Sequence, residues 1–408
     1  MPDGGQLGVT SESASFGRVR EAHRAPLSGR FHVLVRRSLV TLVALAAATT
    51  LAACGPPADD NSSSNNDSGG VDAKTATSAE DFGGMDALVK AAEAEGKLNV
   101  IALPPDWANY GNIIKAFEDK YDIDITSDQP DGASQDEINA ATQLAGSDRA
   151  PDVFDLGQSV ALANTEMFAP YQVETFGDIP AEFKDPNGAW VNDYGGFMSV
   201  GYNSNEVPDI TSLDDLLGSD FKGKVALNGD PTAAGAAFSG VVMASVANGG
   251  SADDIKPGVD FFAKLNDAGN FLPVDPTSAT IESGQTPVVI DWDYLNAAES
   301  AKVDGWKVWV PEDAPIAGYY FQAINADAPH PAAARLWEEF LYSDEGQNLW
   351  LAGGARPVRA DAMVEAGTID KTLYDALPEV SGTPVIPTNE QTEAMAAYLA
   401  DNWAKAVG

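Results

Sequence analysis

Cysteine is nearly absent from this 408-residue chain; there is one, Cys54. A single thiol builds no internal disulfide and no multi-thiolate metal site. Histidine is almost as scarce, and beyond the N-terminal segment only His330 remains. It sits in "ADAPHPAAARLWEEF", between prolines at a helix start, a poor place for a general base. Basic residues are few, 24 against 61 acidic, for a formal net charge of −37. Such a surface does not neutralise phosphates, so nucleic acid is excluded as a partner. It attracts cations, although most of it reads as an ordinary solvated surface. There is no Gly-rich phosphate loop of the P-loop or dinucleotide type. No cofactor and no metal site is therefore expected, and no enzymatic activity. These absences leave carboxylate-only chemistry open.

Long apolar runs are also missing. The apolar run, residues 39–53, follows Arg36 and Arg37 and is too short to span a bilayer comfortably. Its charge-then-apolar order is that of an export signal. It closes on Leu51-Ala52-Ala53-Cys54-Gly55, which resembles a bacterial lipobox. That resemblance implies removal of 1–53 and a diacylglycerol anchor on Cys54, holding the protein outside the cytoplasm at the cell membrane. The plain alternative is a free Cys beside an ordinary cleavage site. The length ahead of Arg36 leaves the true start open, and the paired arginines leave the twin-arginine route open. Residues 54–75, beginning "CGPPADDNSSSNNDSGG", read as a flexible tether. With the three acids and six bases of 1–53 set aside, 58 acidic residues stand against 18 basic ones.

The remainder is long enough for two domains. "DALVKAAEAEGKLNVIA" reads as helix, Gly stop and strand. "YGNIIKAFEDKYDIDIT" repeats that order. "SQDEINAATQLAG" reads as a helix with Ser134 as N-cap and Glu137 at the capping-box spacing. Strands follow in "APDVFDLG", "GFMSVGYNSN", "GKVALNGDP", "TPVVIDWDY", "WKVWVP" and "GYYFQAIN", with a buried helix in "AFSGVVMASVANGG". This alternation predicts an α/β fold with mostly parallel sheets. Ligands of such folds bind outside the carboxyl ends of strands. Four strand-end loops carry Asp, Trp, Tyr, Asn and Gln: "ALPPDWANYG", "DLGQS", "NGDPTAAG" and "DWDYLN".

Several stretches in order, among them "GYNSNEVPDITSLDDLLGSDFKGKVAL" and "PAAARLWEEFLYSDEGQ", resemble the solute-binding proteins of ABC importers, in the type II, polyamine- and iron-binding-like group. The resemblance covers nearly all of 97–408. It implies two α/β lobes around a ligand cleft: 76–202 for the first part of lobe one, 203–307 for lobe two, and 308–408 for the return and the C-terminal helices. It also implies a monomer that captures a small molecule and passes it to permease subunits. A ligand sensor of the same fold would read identically.

The site residues are then expectations. In the first loop Asp106 would pair a cationic group, Trp107 and Tyr110 would stack on it, and Asn109 would hydrogen-bond it. The loop resembles the Trp-x-x-Tyr loop of polyamine-binding members, while plain packing of both rings is the alternative. From lobe two, Asp291, Trp292, Asp293 and Tyr294 would face it, with Asp291 on the ligand and Asp293 as the helix cap. Iron-binding relatives carry adjacent tyrosines there; here Tyr294 stands alone, which disfavours ferric iron. Asp230 and Thr232 lie at a helix start that suits an anion, or simply form its cap. Asp155, Gln158, Tyr194 and Tyr320 complete the set; Tyr319 and Tyr320 point to opposite sides of a strand. The favoured solute is a polyamine such as putrescine or spermidine. 2-Aminoethylphosphonate, thiamine and ferric iron are the alternatives.

Overall fold

The computed structural model describes residues 72–378 and 380–408. The signal segment 1–53, Cys54 and all but the last residues of the tether lie outside the described residues. The helix Met85–Glu95 buries Leu88 and Ala92, one turn apart, and ends at Gly96. Gly96 takes a left-handed φ of 67°, and its N–H donates to Ala92 O, closing the helix. Strand β1 (Lys97–Ile101) follows, then the helix Tyr110–Tyr121, then β2 (Asp124–Asp128). That helix buries Tyr110, Ile113 and Phe117, the spacing of one helical face. β1 and β2 pair in parallel. β1 is tied to the rest at Asn99: its N–H donates to Asp152 Oδ2 at 2.7 Å.

The main sheet has eight strands. They are β3 (Val153–Leu156), β4 (Phe168–Ala169), β5 (Val191–Asn203), β6 (Val225–Leu227), β7 (Val288–Trp292), β8 (Trp306–Trp309), β9 (Ala317–Asn325) and β10 (Arg356–Pro357). The central path runs β3-β9-β5-β7-β6. β5 changes partners along its length. Up to Phe197 it pairs with β9, and from Met198 it pairs with β7 and β8. One continuous strand thus threads two half-sheets, one containing β3 and β9, the other β6 and β7.

Two expectations are corrected here. In this sheet only β6 and β7 run parallel; every other ladder is antiparallel. Helix–strand alternation says what separates strands in sequence. It does not say which strands lie side by side, and β5 and β9 insert between successive ones. Ser134 is also not the cap of the helix Ser134–Gln143. The cap position is Ala133, whose N–H donates to Asp136 Oδ2 at 3.0 Å.

The helix Gly235–Ala247 is buried on almost every side, as a sequence of Ala, Val, Gly, Phe and Met requires. The C-terminal helix Asn389–Val407 packs Trp403 against Phe262, with ring centroids 5.3 Å apart. Among the described residues no helix is long and apolar enough to cross a membrane.

Candidate functional site

A cavity of about 590 Å³ opens at the strand ends. One wall comes from the loop after β1, the start of the helix Ser134–Gln143, and Asp155 in β3. The other comes from Asn228 after β6, the start of the helix Gly235–Ala247, and Asp291 in β7. Tyr320 of β9 also lines it. The first loop is strained: Ala102, Ala108 and Asn109 all have left-handed φ, at 54°, 43° and 72°. Non-glycine residues hold that conformation at a cost of order 1–3 kcal/mol, and such strain gathers at functional loops.

Among the described residues, seven Asp and Glu side chains line the cavity, and no Lys, Arg or His does. Four of them are buried: Glu137, Asp155, Asp291 and Glu299. Burial pushes Asp155 and Asp291 up to about 7. Burial, with the charge of Asp155 added, lifts Glu137 well above the usual carboxylate range. Asp155 is the hub of the group. Its Oδ2 accepts from Tyr110 Oη at 2.7 Å and Tyr194 Oη at 2.9 Å. Its backbone N–H donates to Glu137 Oε2 at 3.0 Å. Trp107 Nε1 donates to Tyr194 Oη at 2.7 Å, and Gln322 Nε2 donates to Tyr110 Oη at 3.0 Å.

Of the residues singled out from sequence, Asp106, Trp107, Asp155, Asp291 and Tyr320 line the cavity. The others do other work. Tyr110 and Tyr194 are fully buried behind Asp155 and hold its carboxylate. Asn109 donates to Leu349 O at 2.8 Å and accepts from Asn112 at 2.6 Å, so both ends of its amide are engaged. Gln158 holds the start of the C-terminal helix, through Asn389 Oδ1 at 3.0 Å and Pro387 O at 3.2 Å. Asp230 accepts from Thr232 N and Oγ1, which spends both residues inside their own turn.

The "DWDY" stretch splits by strand alternation. Asp291 faces the cavity while its neighbour Trp292 turns inward, where Nε1 donates to Tyr320 Oη at 3.3 Å. Tyr294 stacks on Trp292 at 6.4 Å. Asp293 pairs with Arg356 Nη1 at 2.8 Å and accepts from Phe197 N at 2.9 Å, so it ties elements together and does not cap its helix from the Ncap position.

Sequence reasoning missed Glu137, whose spacing fitted a capping box, and Asn228, which donates to Asp291 Oδ2 at 2.8 Å. It also missed Lys302 at the rim, where Nζ lies 3.5 Å from Asp106, 3.2 Å from Glu299 and 2.9 Å from Ser278 Oγ. Asp106 therefore meets a cation of the chain itself. Among the described residues no three His, Cys, Asp or Glu side chains are grouped to hold a metal ion.

A family model described as bacterial extracellular solute-binding protein matches residues 151–376. No curated protein matches the chain. Among solved structures, the fold is similar to that of the periplasmic binding protein AfuA from Actinobacillus pleuropneumoniae, with exogenous fructose-6-phosphate bound. The TM-score is 0.58 at 17% identity, over 76% of this chain and 98% of that one. A candidate spermidine/putrescine ABC transporter protein from Listeria monocytogenes gives 0.59 at 13%, over 76% and 98%. Iron-bound HitA from Pseudomonas aeruginosa gives 0.56 at 19%, over 76% and 99%. These likenesses establish the two-lobed fold and carry no ligand with them.

Proposed function

Because the chain belongs to the bacterial extracellular solute-binding proteins, we propose that it captures a small cationic solute, with polyamines such as putrescine and spermidine favoured, for an ABC importer. The observation that carries this reading is the charge of the cavity: among the described residues, seven lining carboxylates and no lining cation. In a water-poor cleft a carboxylate and an ammonium attract each other more strongly than in bulk water. The volume, about 590 Å³, suits a small molecule. In this reading 76–202 and 308–408 form one lobe and 203–307 the other, and the solute favours the closed arrangement through contacts to both. Lipid on Cys54 would keep the protein near its permease.

A zwitterion is the second reading, because the start of the helix Gly235–Ala247 lines the same cavity. Free N–H groups there suit a phosphonate or carboxylate end. Thermal unfolding of the full chain with putrescine, spermidine, 2-aminoethylphosphonate, thiamine, ferric citrate and small sugars separates the two. A true ligand at about 100 times its Kd adds roughly 2.7 kcal/mol. Stabilisation by the polyamines supports the first reading. Stabilisation only by the aminophosphonate supports the second, and stabilisation only by sugars or ferric citrate sinks both.

A further inference from the structure

Asp155 differs from the other buried acids of the cavity. Asp291 has both oxygens engaged, Oδ1 by Trp292 N and Oδ2 by Asn228 Nδ2, each at 2.8 Å. Asp155 has only one engaged. Its Oδ2 takes two tyrosine hydroxyls, while its Oδ1 is buried and accepts nothing from the protein. The partners behind it enforce this asymmetry. An indole N–H has only a proton to give, and the Gln322 amide nitrogen likewise donates. Trp107 and Gln322 thus occupy the acceptor sides of Tyr194 and Tyr110, and each hydroxyl proton is left for Asp155 Oδ2. A buried carboxylate oxygen without a donor is costly, so the site is completed by a donor from outside the chain.

A permethylated cation has no such donor and would rely on open aromatic faces. On Tyr320 no such face is open. Tyr320 is 6% exposed, stacked by Tyr194 at 5.5 Å and flanked edge-on by Trp107 at 5.7 Å and Trp292 at 6.2 Å.

We propose that Asp155 Oδ1 accepts a hydrogen bond from an N–H of the bound solute, so that the chain selects primary and secondary ammonium or amidinium cations and rejects quaternary ones. This rests on the cationic-solute reading above. Trp107, Tyr194, Tyr110 and Gln322 are then positioning residues, and Asp155 is the contact.

The test is calorimetric titration of the full chain with putrescine, spermidine and putrescine carrying three methyl groups on each nitrogen. Permethylation keeps both charges and the carbon chain and removes every N–H. The permethylated compound is expected to bind at least about tenfold more weakly, the factor one charge-assisted hydrogen bond carries. Asp155→Asn, whose amide can turn its NH₂ toward the solute, is expected to lose putrescine binding. Equal affinity for the two diamines overturns this inference and leaves the cationic reading standing. Asp155→Asn binding putrescine like the unaltered chain also overturns it. If that variant does not fold, the diamine comparison decides alone. A chain that binds none of the three cations overturns both readings.

Discussion

Gly157 and Gly235 meet backbone to backbone beside the cavity: a Cβ built on Gly157 would stand 2.5 Å from the Cα of Gly235. Gly157 follows β3 in one half-sheet, and Gly235 opens the helix that follows β6 in the other. Next to them Gln135 N donates to Ala233 O at 3.2 Å. Glycine is required here for lack of a side chain, since neither residue has a left-handed φ.

Gly235→Ala should therefore hold the two sides apart. Its Cβ would lie 2.7 Å from Gly157 Cα. The expected result is a solute affinity lower by on the order of tenfold, about 1.4 kcal/mol, with the Tm of the solute-free chain little changed. Small-angle scattering should show a more open molecule with solute present. Unaltered affinity would show that this contact is no part of the binding form.

Tyr194→Phe removes the hydroxyl between Trp107 Nε1 and Asp155 Oδ2. The buried Asp155 and the half-buried Trp107 each lose a partner, which should cost about 1–3 kcal/mol of stability. Urea unfolding should show a lower midpoint with the same m-value. A midpoint equal to that of the unaltered chain would mean the relay contributes nothing to stability.

Lys302→Gln takes a positive charge off the rim of an acidic cavity. The exposed pair with Asp106 is worth at most about 1 kcal/mol, but the pair with the buried Glu299 is lost as well, so the Tm should fall. Affinity for putrescine should rise severalfold and become more sensitive to salt. A drop in affinity would instead make the Lys302–Asp106 contact part of closure.

The buried acids set a pH dependence. Burial holds Asp155, Asp291 and Glu339 up at about 7 and Glu338 at about 8. Each binds more protons folded than unfolded between the ordinary carboxylate range near pH ~4 and those values. Their contribution to stability is full below that range and is lost as pH rises through 7 to 8. His330, raised by its bond to Asp152, acts in the same direction. The Tm of the solute-free chain should fall from pH 5 to 8. An ammonium favours the ionised carboxylates, so putrescine binding near pH 6 should release protons and tighten as pH rises. Calorimetry in buffers of different ionisation enthalpy measures the release. A Tm that climbs across this window would contradict the account.

Arg356→Met strips Asp293, which is 2% exposed, of its cation. An unpaired buried charge of this kind typically costs about 3–5 kcal/mol. Unfolding should shift by that order, while Kd for the solute, measured on the folded fraction, should hold. A change in Kd alone would return Asp293 to the binding site.

The sequence by itself determined the local pieces and the sign of the charge. The Gly96 stop, the buried face Tyr110–Ile113–Phe117 and the all-apolar helix Gly235–Ala247 follow from period and composition over a few residues. The excess of acids, one support of the proposed cationic solute, is plain in the composition. Only the tertiary structure decided which members of the strand-end loops meet. Tyr110, Asp155, Tyr194 and Gln322 are separated by tens to hundreds of residues, yet they form one hydrogen-bonded group. Glu137 looked like a local cap because its spacing allowed one. It became a cavity residue because β3 brings the N–H of Asp155 to it. Asp291 and Trp292 were certain to face opposite ways, but which of them met the cavity depended on the neighbouring strands. Local patterns encode backbone period and capping chemistry. Burial, and with it the raised carboxylates and the one unpartnered oxygen of Asp155, exists only once distant segments have packed together.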